Sequence, residues 1–270
     1  MELATATVTV PGSLDDKLRA IAVAGFASVE VFASELAESG DDPAIVRRRI
    51  DDLGMSVCTF MPFREFEALP EPRRSQNFAR AEEYFDIMQA LQTDLLLVCT
   101  NVSPDTQPDR SRMIDDFREL GERAAARGLR IGIEPLAWGI HVSDYRDGWQ
   151  LVQQVGLDSV GLILDNFHIQ ALRLPLEGIH NIPAAKIFDV QLSDAPYLDI
   201  DQMSWSRRFR LLPGRGEFDL AGFVSAVRAT GYDGVWSLET FDEKAAAMPT
   251  QQVATDAYAS LRNLMTGKAE

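Results

Sequence analysis

Short apolar runs rich in β-branched residues recur eight times along the chain, separated by stretches with helical spacing. The runs are Thr5–Val10, Ser28–Phe32, Ser56–Phe60, Asp94–Cys99, Leu129–Glu134, Val160–Asp165, Ala185–Leu192 and Gly234–Glu239. Between them lie segments such as "SRMIDDFRELGERAAARG", where Met113, Phe117, Leu120 and Ala124 fall on one helical face. "TQQVATDAYASLRNLM" does the same with Val253, Ala257, Leu261 and Leu264. Gly128 and Gly231 stand where helices should stop before the next strand. Each return to parallel register needs a crossover, so strand–helix alternation implies a parallel sheet. Eight such units in 270 residues match a single (β/α)8 TIM barrel. An open doubly wound sheet would carry G-x-G-x-x-G after its first strand, where "VPGSLDD" stands instead. No linker, low-complexity tract or long charge run divides the chain, so one barrel domain over residues 1–270 is expected.

The charge balance narrows the partners. A formal net charge of −15 repels nucleic acid and anionic membrane, but leaves room for a small anionic substrate held by a local basic cluster. No apolar run approaches the roughly 20 residues of a membrane span. The start, "MELATATVTV", has no basic residue before Lys17 and lacks the charged opening of a signal peptide. The two cysteines, Cys58 and Cys99, cannot make a disulfide framework and read as buried free thiols. A cytoplasmic protein is expected, and homo-oligomer formation is left open.

In a (β/α)8 barrel the active site lies at the C-terminal ends of the strands. The fifth run ends on Glu134 and the sixth on Asp165, while Gln191 and Glu239 stand near the ends of the seventh and eighth. Four consecutive strands would therefore bring oxygen donors over one half of the mouth. Carboxylates crowded together drive at least one pKa upward, and a divalent cation removes that penalty. An all-oxygen set selects a hard ion, Mg2+ or Mn2+, with Co2+ as a further candidate. His168 lies three residues beyond Asp165 in "LILDNFHIQ" and is the candidate base. His141, in "EPLAWGIHVSDY", is a second candidate near the substrate, and His180 has no assigned role.

Two connections are longer than packing requires, residues 61–76 and 193–217. The second contains "SWSRRFR", with Arg207, Arg208 and Arg210, and the first contains Arg64. In so acidic a chain, arginines on two loops above the mouth suggest recognition of a carboxylate or phosphate. Arg210 is the choice among the three, because Phe209 should anchor it, and Ser206 could add a hydroxyl contact.

"IGIEPLAWGIHVSDYRDGW", "GLILDNFH", "KIFDVQLSDAP", "SWSRRFRLLPGRGEFDL" and "GVWSLETF" together resemble the xylose-isomerase-like barrel superfamily of sugar isomerases, epimerases and type-2 endonucleases. Within it they are most similar to the bacterial 3-dehydroshikimate dehydratases. The likeness is strong over residues 130–241 and looser before them. It implies that Glu134, Asp165, Gln191 and Glu239 hold a divalent metal, and that 3-dehydroshikimate is dehydrated to protocatechuate. On that reading the metal stabilises an enolate, His168 takes the α-proton, Glu134 and His141 share the proton transfers, and Arg210 with Arg64 binds the ring carboxylate. Some members of the family carry a dioxygenase-like second domain, so the chain is expected to be a stand-alone barrel or the N-terminal part of such a fusion. The alternative is a metal-dependent sugar or sugar phosphate isomerase or ketose 3-epimerase, with Glu134 and Glu239 as paired acid and base. Endonuclease action at abasic DNA needs a basic groove and a histidine-rich metal cluster, which three histidines and −15 do not supply.

Overall fold

The computed structural model describes residues 1–267. Its strands are β1 (Glu2–Ala6), β2 (Ser28–Phe32), β3 (Ser56–Phe63), β4 (Leu95–Cys99), β5 (Arg130–Glu134), β6 (Val160–Asp165), β7 (Ile187–Leu192), β8 (Phe209–Arg210), β9 (Val235–Leu238) and β10 (Phe241–Asp242). The helices are α1 (Leu14–Ala24), α2 (Ala33–Ser39), α3 (Pro43–Asp52), α4 (Arg73–Leu91), α5 (Arg110–Ala125), α6 (Tyr145–Val155), α7 (Asn166–Ala171), α8 (Gln202–Arg208), α9 (Leu220–Ala229) and α10 (Thr250–Thr266). Strands β1 to β7 and β9 close a parallel barrel in chain order, with β9 pairing back to β1. This is the expected (β/α)8 architecture. No helix among the described residues is long and apolar enough to cross a membrane.

The helical faces read from spacing are the buried ones. Met113, Phe117, Leu120 and Ala124 of α5 and Ala257 and Leu261 of α10 enter the layer between helices and sheet, with Val253 buried and Leu264 partly buried at its edge. A smaller apolar group, including Phe32, Met61, Leu95, Leu97 and Ile163, fills part of the barrel interior. Gly132 and Gly161 make room for it, since a Cβ at either position would come within 2.4 Å of Ile163 or 2.7 Å of Phe188.

Two departures from the sequence reading are the largest, the other strand ends moving by no more than two residues. The first strand is Glu2–Ala6 rather than Thr5–Val10, and Thr7–Thr9 form a 3-10 turn. Here threonine hydroxyls compete with the ladder for backbone groups. Thr7 Oγ1 accepts the Phe32 N–H at 3.2 Å, and Thr9 Oγ1 donates to the Leu238 carbonyl at 3.1 Å while accepting from Thr240 N–H. The connection expected over residues 61–76 shrinks to 64–72, because β3 runs on to Phe63 and α4 starts at Arg73. Cys99 is buried as expected, whereas Cys58 is partly exposed at a register shift between β2 and β3.

Candidate active site

The end of β6 shows how the mouth is assembled. Leu162, Ile163 and Leu164 are buried, and Asp165 both ends the strand and caps α7. Its Oδ1 accepts the Phe167 N–H at 2.8 Å, which satisfies an amide the helix start leaves open. Oδ2 is left facing the mouth. The turn into α7 carries His168 to the same side, with Nε2 3.5 Å from Asp165 Oδ2 and 3.7 Å from Glu134 Oε1. Asn166 clips this turn to the end of β7, accepting from Ser193 N–H at 2.7 Å and donating to its carbonyl at 2.9 Å.

Glu134, Asp165, Gln191 and Glu239 are all buried at the ends of β5, β6, β7 and β9. Glu134 Oε2 accepts the Cys99 S–H at 3.1 Å. Burial pushes the Glu134 carboxyl up to about 8, and the charges of Glu239 and Asp165 add to the rise. Burial likewise takes Asp165 up to about 7, against the pull of Arg210. His168 moves the other way. Burial, then Arg210 and Arg207, holds its pKa well below the ordinary value, so the imidazole is neutral.

The tautomer follows from one contact. Ala137 N–H donates to His168 Nδ1 at 3.0 Å, so the ring proton sits on Nε2. Nε2 therefore faces Glu134 and Asp165 as a donor, without the lone pair that the expected base requires. The same contact bears on metal binding. Glu134, Asp165 and His168 can bring ligand atoms within 4.8 Å of one another, yet a ligating histidine donates from its second nitrogen. In His168 that nitrogen accepts, which leaves the imidazole outside the donor set.

Three carboxylates and an amide oxygen remain, a set suited to a hard divalent cation. Two buried atoms among them, Asp165 Oδ2 and Gln191 Oε1, lack an aligned hydrogen bond. These residues fit a cation.

Arg210 also lines the mouth, but its guanidinium is already engaged by acids there. It is buried between two of the acids, with Nη2 2.8 Å from Asp165 Oδ2 and Nη1 2.6 Å from Glu239 Oε2, and Nε donating to Ser193 Oγ at 3.0 Å. Arg208 pairs with Glu243 at the surface. Arg207 and Arg64 both line the mouth, and among the described residues neither guanidinium has an ion-pair partner. Each instead lies near an aromatic face, Arg207 5.1 Å from Phe241 and Arg64 5.9 Å from Phe32. Burial lowers the Arg207 pKa, and repulsion from Arg64 lowers it further. The pair is a charge-deficient pocket that an anion would relieve. Ser206 is buried beside them.

The long connection after β7 is held in place by Asp194. Its Oδ1 accepts from Phe218 N–H at 3.1 Å and Oδ2 from Gly214 N–H at 3.0 Å. A Cβ at Gly216 would lie 2.4 Å from Oδ1, so the "PGRGEF" turn needs glycine there. β8 then pairs antiparallel with β10, which ties the connections after β7 and β9 together over the mouth. Trp205 of α8 packs on Phe167 at 5.4 Å.

His141 is not part of this group. After Glu134 the chain turns at Leu136–Gly139 and runs past Asn101, leaving His141 Nε2 3.4 Å from the Thr106 carbonyl and lining a separate groove beside Pro108 and Asp147. His180 lies in an exposed 3-10 turn. Sequence reasoning passed over Trp138, whose ring meets the His168 edge at 5.0 Å, and preferred Arg210 to Arg207. No single periodicity separates these two arginines, since Arg207 stands in α8 and Arg210 in β8.

A family model described as xylose isomerase-like TIM barrel matches residues 18–264. A curated protein of Pseudomonas putida named 3-dehydroshikimate dehydratase is 48% identical over 97% of this chain and 41% of its own length. The chain thus spans about two fifths of the curated relatives it matches. A solved xylose isomerase-like TIM barrel/4-hydroxyphenylpyruvate dioxygenase fusion protein superposes with a TM-score of 0.96 and 47% identity, over 99% of this chain and 43% of that one. A structure of IOLI protein with a bound zinc atom superposes over the whole of both chains with a TM-score of 0.91. At 18% identity that likeness shows the fold alone.

Proposed function

The chain belongs to the xylose isomerase-like TIM barrel family, and from that premise we propose that it is a 3-dehydroshikimate dehydratase, a hydro-lyase dependent on a divalent cation. The observation that carries the substrate class is the Arg64–Arg207 pair beside buried carboxylates, which suits a small ring bearing its own carboxylate. The identity to the named Pseudomonas relatives supports the same reading. A cation held by Glu134, Asp165, Gln191 and Glu239 would supply Lewis-acid polarisation of the substrate ketone.

The protein's own groups divide the remaining work. Arg64 and Arg207 seat the ring carboxylate, and the Ser206 hydroxyl adds a contact. Glu134, whose Oε1 lies 3.7 Å from His168 Nε2 at the mouth, takes the proton α to the ketone. The electrons of that C–H bond form a C=C bond as the neighbouring C–O bond breaks. Glu134 returns the proton to the departing hydroxyl, which leaves as water. Enolisation of the ketone then completes the aromatic ring of protocatechuate. His168 gives its Nε2–H as a hydrogen bond to a substrate oxygen as charge develops there. Its neutrality makes it a fixed donor, so the base role expected from sequence passes to Glu134.

The direct test strips the protein of metal, resupplies Mg2+, Mn2+ or Co2+, adds 3-dehydroshikimate and follows protocatechuate absorbance. Product with one or more of these ions is the expected result. No product with any of them, together with turnover of ketoses, would move the assignment to an isomerase or 3-epimerase.

A further inference from the structure

Below the mouth lies a second set of buried polar groups that the chemistry above does not use. Glu30 sits in the middle of β2 and Asp189 within β7, both fully buried. Thr59 Oγ1 donates to Asp189 Oδ2 at 2.7 Å and Val190 N–H donates to Asp189 Oδ1 at 2.8 Å, while burial and the neighbouring Asp189 charge raise the Glu30 pKa. Glu30 Oε2 accepts the Gln191 Nε2–H at 2.9 Å.

The backbone is adapted to this arrangement. The β2–β3 register shifts between Val29 and Glu30, so Thr59 rather than Cys58 stands opposite Glu30. The β6–β7 register shifts between Leu162 and Ile163, so Asp189 rather than Phe188 stands opposite Ile163. Register shifts re-aim side chains next to functional sites. Both shifts occur at the level of this pair.

The consequence falls on Gln191. An amide has one donor end and one acceptor end, and Glu30 accepts from the nitrogen. The oxygen is then the free end, buried and without a hydrogen-bond partner. We infer that Glu30, seated on Asp189 and Thr59, is a positioning residue that fixes the Gln191 amide with its oxygen turned toward the mouth. This rests on reading the mouth as a cation site, and it assigns to the first half of the barrel a part in that site. Partners of metal ligands act in this way generally, by orienting the ligand before the metal arrives.

The test measures Mn2+ binding to the metal-stripped chain from the free-ion electron paramagnetic resonance signal, with circular dichroism to report folding. Glu30→Met should raise the Mn2+ Kd about tenfold or more, and Glu30→Gln should stay within about twofold of the unaltered protein. A glutamine there can give its N–H to Asp189 and its carbonyl oxygen to Gln191, preserving the pattern. Thr59→Val keeps the shape, loosens Asp189, and should weaken Mn2+ about threefold. Equal affinity in Glu30→Met, or an equal loss in Glu30→Gln and Glu30→Met, would overturn the proposal while leaving the cation site standing. If Glu30→Met does not fold, an unchanged affinity in Thr59→Val overturns it. Unaltered protein that takes up no Mn2+ would overturn the cation site and this proposal together.

Discussion

Two groups of buried carboxylates occupy neighbouring levels of this barrel, and the chain stabilises them by different means. At the mouth, Glu134, Asp165 and Glu239 share one buried cation, Arg210, which touches only the last two. Beneath them, Glu30 and Asp189 have no ion-pair partner among the described residues, and Arg130, which acts on Asp189, is itself paired with Asp94 at 2.9 Å. Two unit charges about 4 Å apart repel by roughly 4 kcal/mol at an effective dielectric of 20, so the lower pair cannot comfortably ionise twice. Burial raises both of its pKa values, and the pair is held by donors from Thr59, Val190 and Gln191. The lower group engages most of its polar atoms internally, and among the described residues only Glu30 Oε1 in it lacks a partner. The upper one keeps Asp165 Oδ2 without an aligned partner at the mouth itself, where a bound ligand can reach it.

The contrast breaks first at Glu134. Replacing it with glutamine keeps the shape but removes the proton acceptor, and turnover should fall about 10³-fold. Steady-state assays with Mn2+ saturating check this, and retained turnover would mean that the open group is not the reacting one.

Glu67 sharpens the comparison from a third side, being a buried acid with neither a cation nor a second acid hydrogen-bonded to it. Its Oε1 accepts the Asn101 N–H at 2.6 Å, its Oε2 has no partner, and burial pushes its pKa up to about 7. The folded state then binds a proton that the unfolded chain releases near pH 4.3, so this group's contribution to stability falls as pH rises between those values. The full loss is about 4 kcal/mol above pH 7. Glu67→Gln keeps the acceptor and removes the titration. Denaturant unfolding should show its advantage over the unaltered protein growing from pH 5 to pH 8, and a constant difference would refute the assignment.

His168 separates two roles within the upper group. As a donor it should be worth about 10²-fold in kcat, so His168→Ala should lose that much with Mn2+ affinity unchanged. Glutamine at the same place can donate but cannot accept a proton as a base, so His168→Gln should recover part of the loss. No recovery would return the base role to the imidazole.

How much of this could be read from sequence differs between the two groups. The barrel was legible because β-branched runs and helical spacing are local signals, and the mouth acids were legible because they stand at strand ends. Asp165 carried both, closing an apolar run and capping the next helix. Glu30 and Asp189 left no such trace. They interrupt β2 and β7 in mid-strand, and what makes their positions tolerable is a partner about 160 residues away, since Gln191 and Glu30 are 161 apart. The role proposed for His168 turns on a related point, since its tautomer is set by the Ala137 backbone, which no side-chain pattern reports.

The smallest effect concerns the arginines, where the sequence favours Arg210 and the proposed function relies on Arg207. A guanidinium already bridging two carboxylates offers an anion little, whereas Arg64 and Arg207 repel each other across the mouth and would be relieved by a bound carboxylate. Exposure at the rim limits what each contact contributes, and a partly solvated charge pair is worth about 1 kcal/mol or slightly more. Arg207→Met keeps the apolar stem against Phe241 and removes the charge. It should raise KM for 3-dehydroshikimate about tenfold with kcat within about threefold, the pattern of a contact made equally in ground and transition states. Arg64→Met should do the same. Because the two side chains act on one carboxylate, the double variant should lose less than the product of the single losses. Arg210→Met should behave differently, lowering kcat and disturbing Mn2+ binding through Asp165 and Glu239. A KM effect confined to Arg210→Met would reverse the assignment and restore the sequence-based choice.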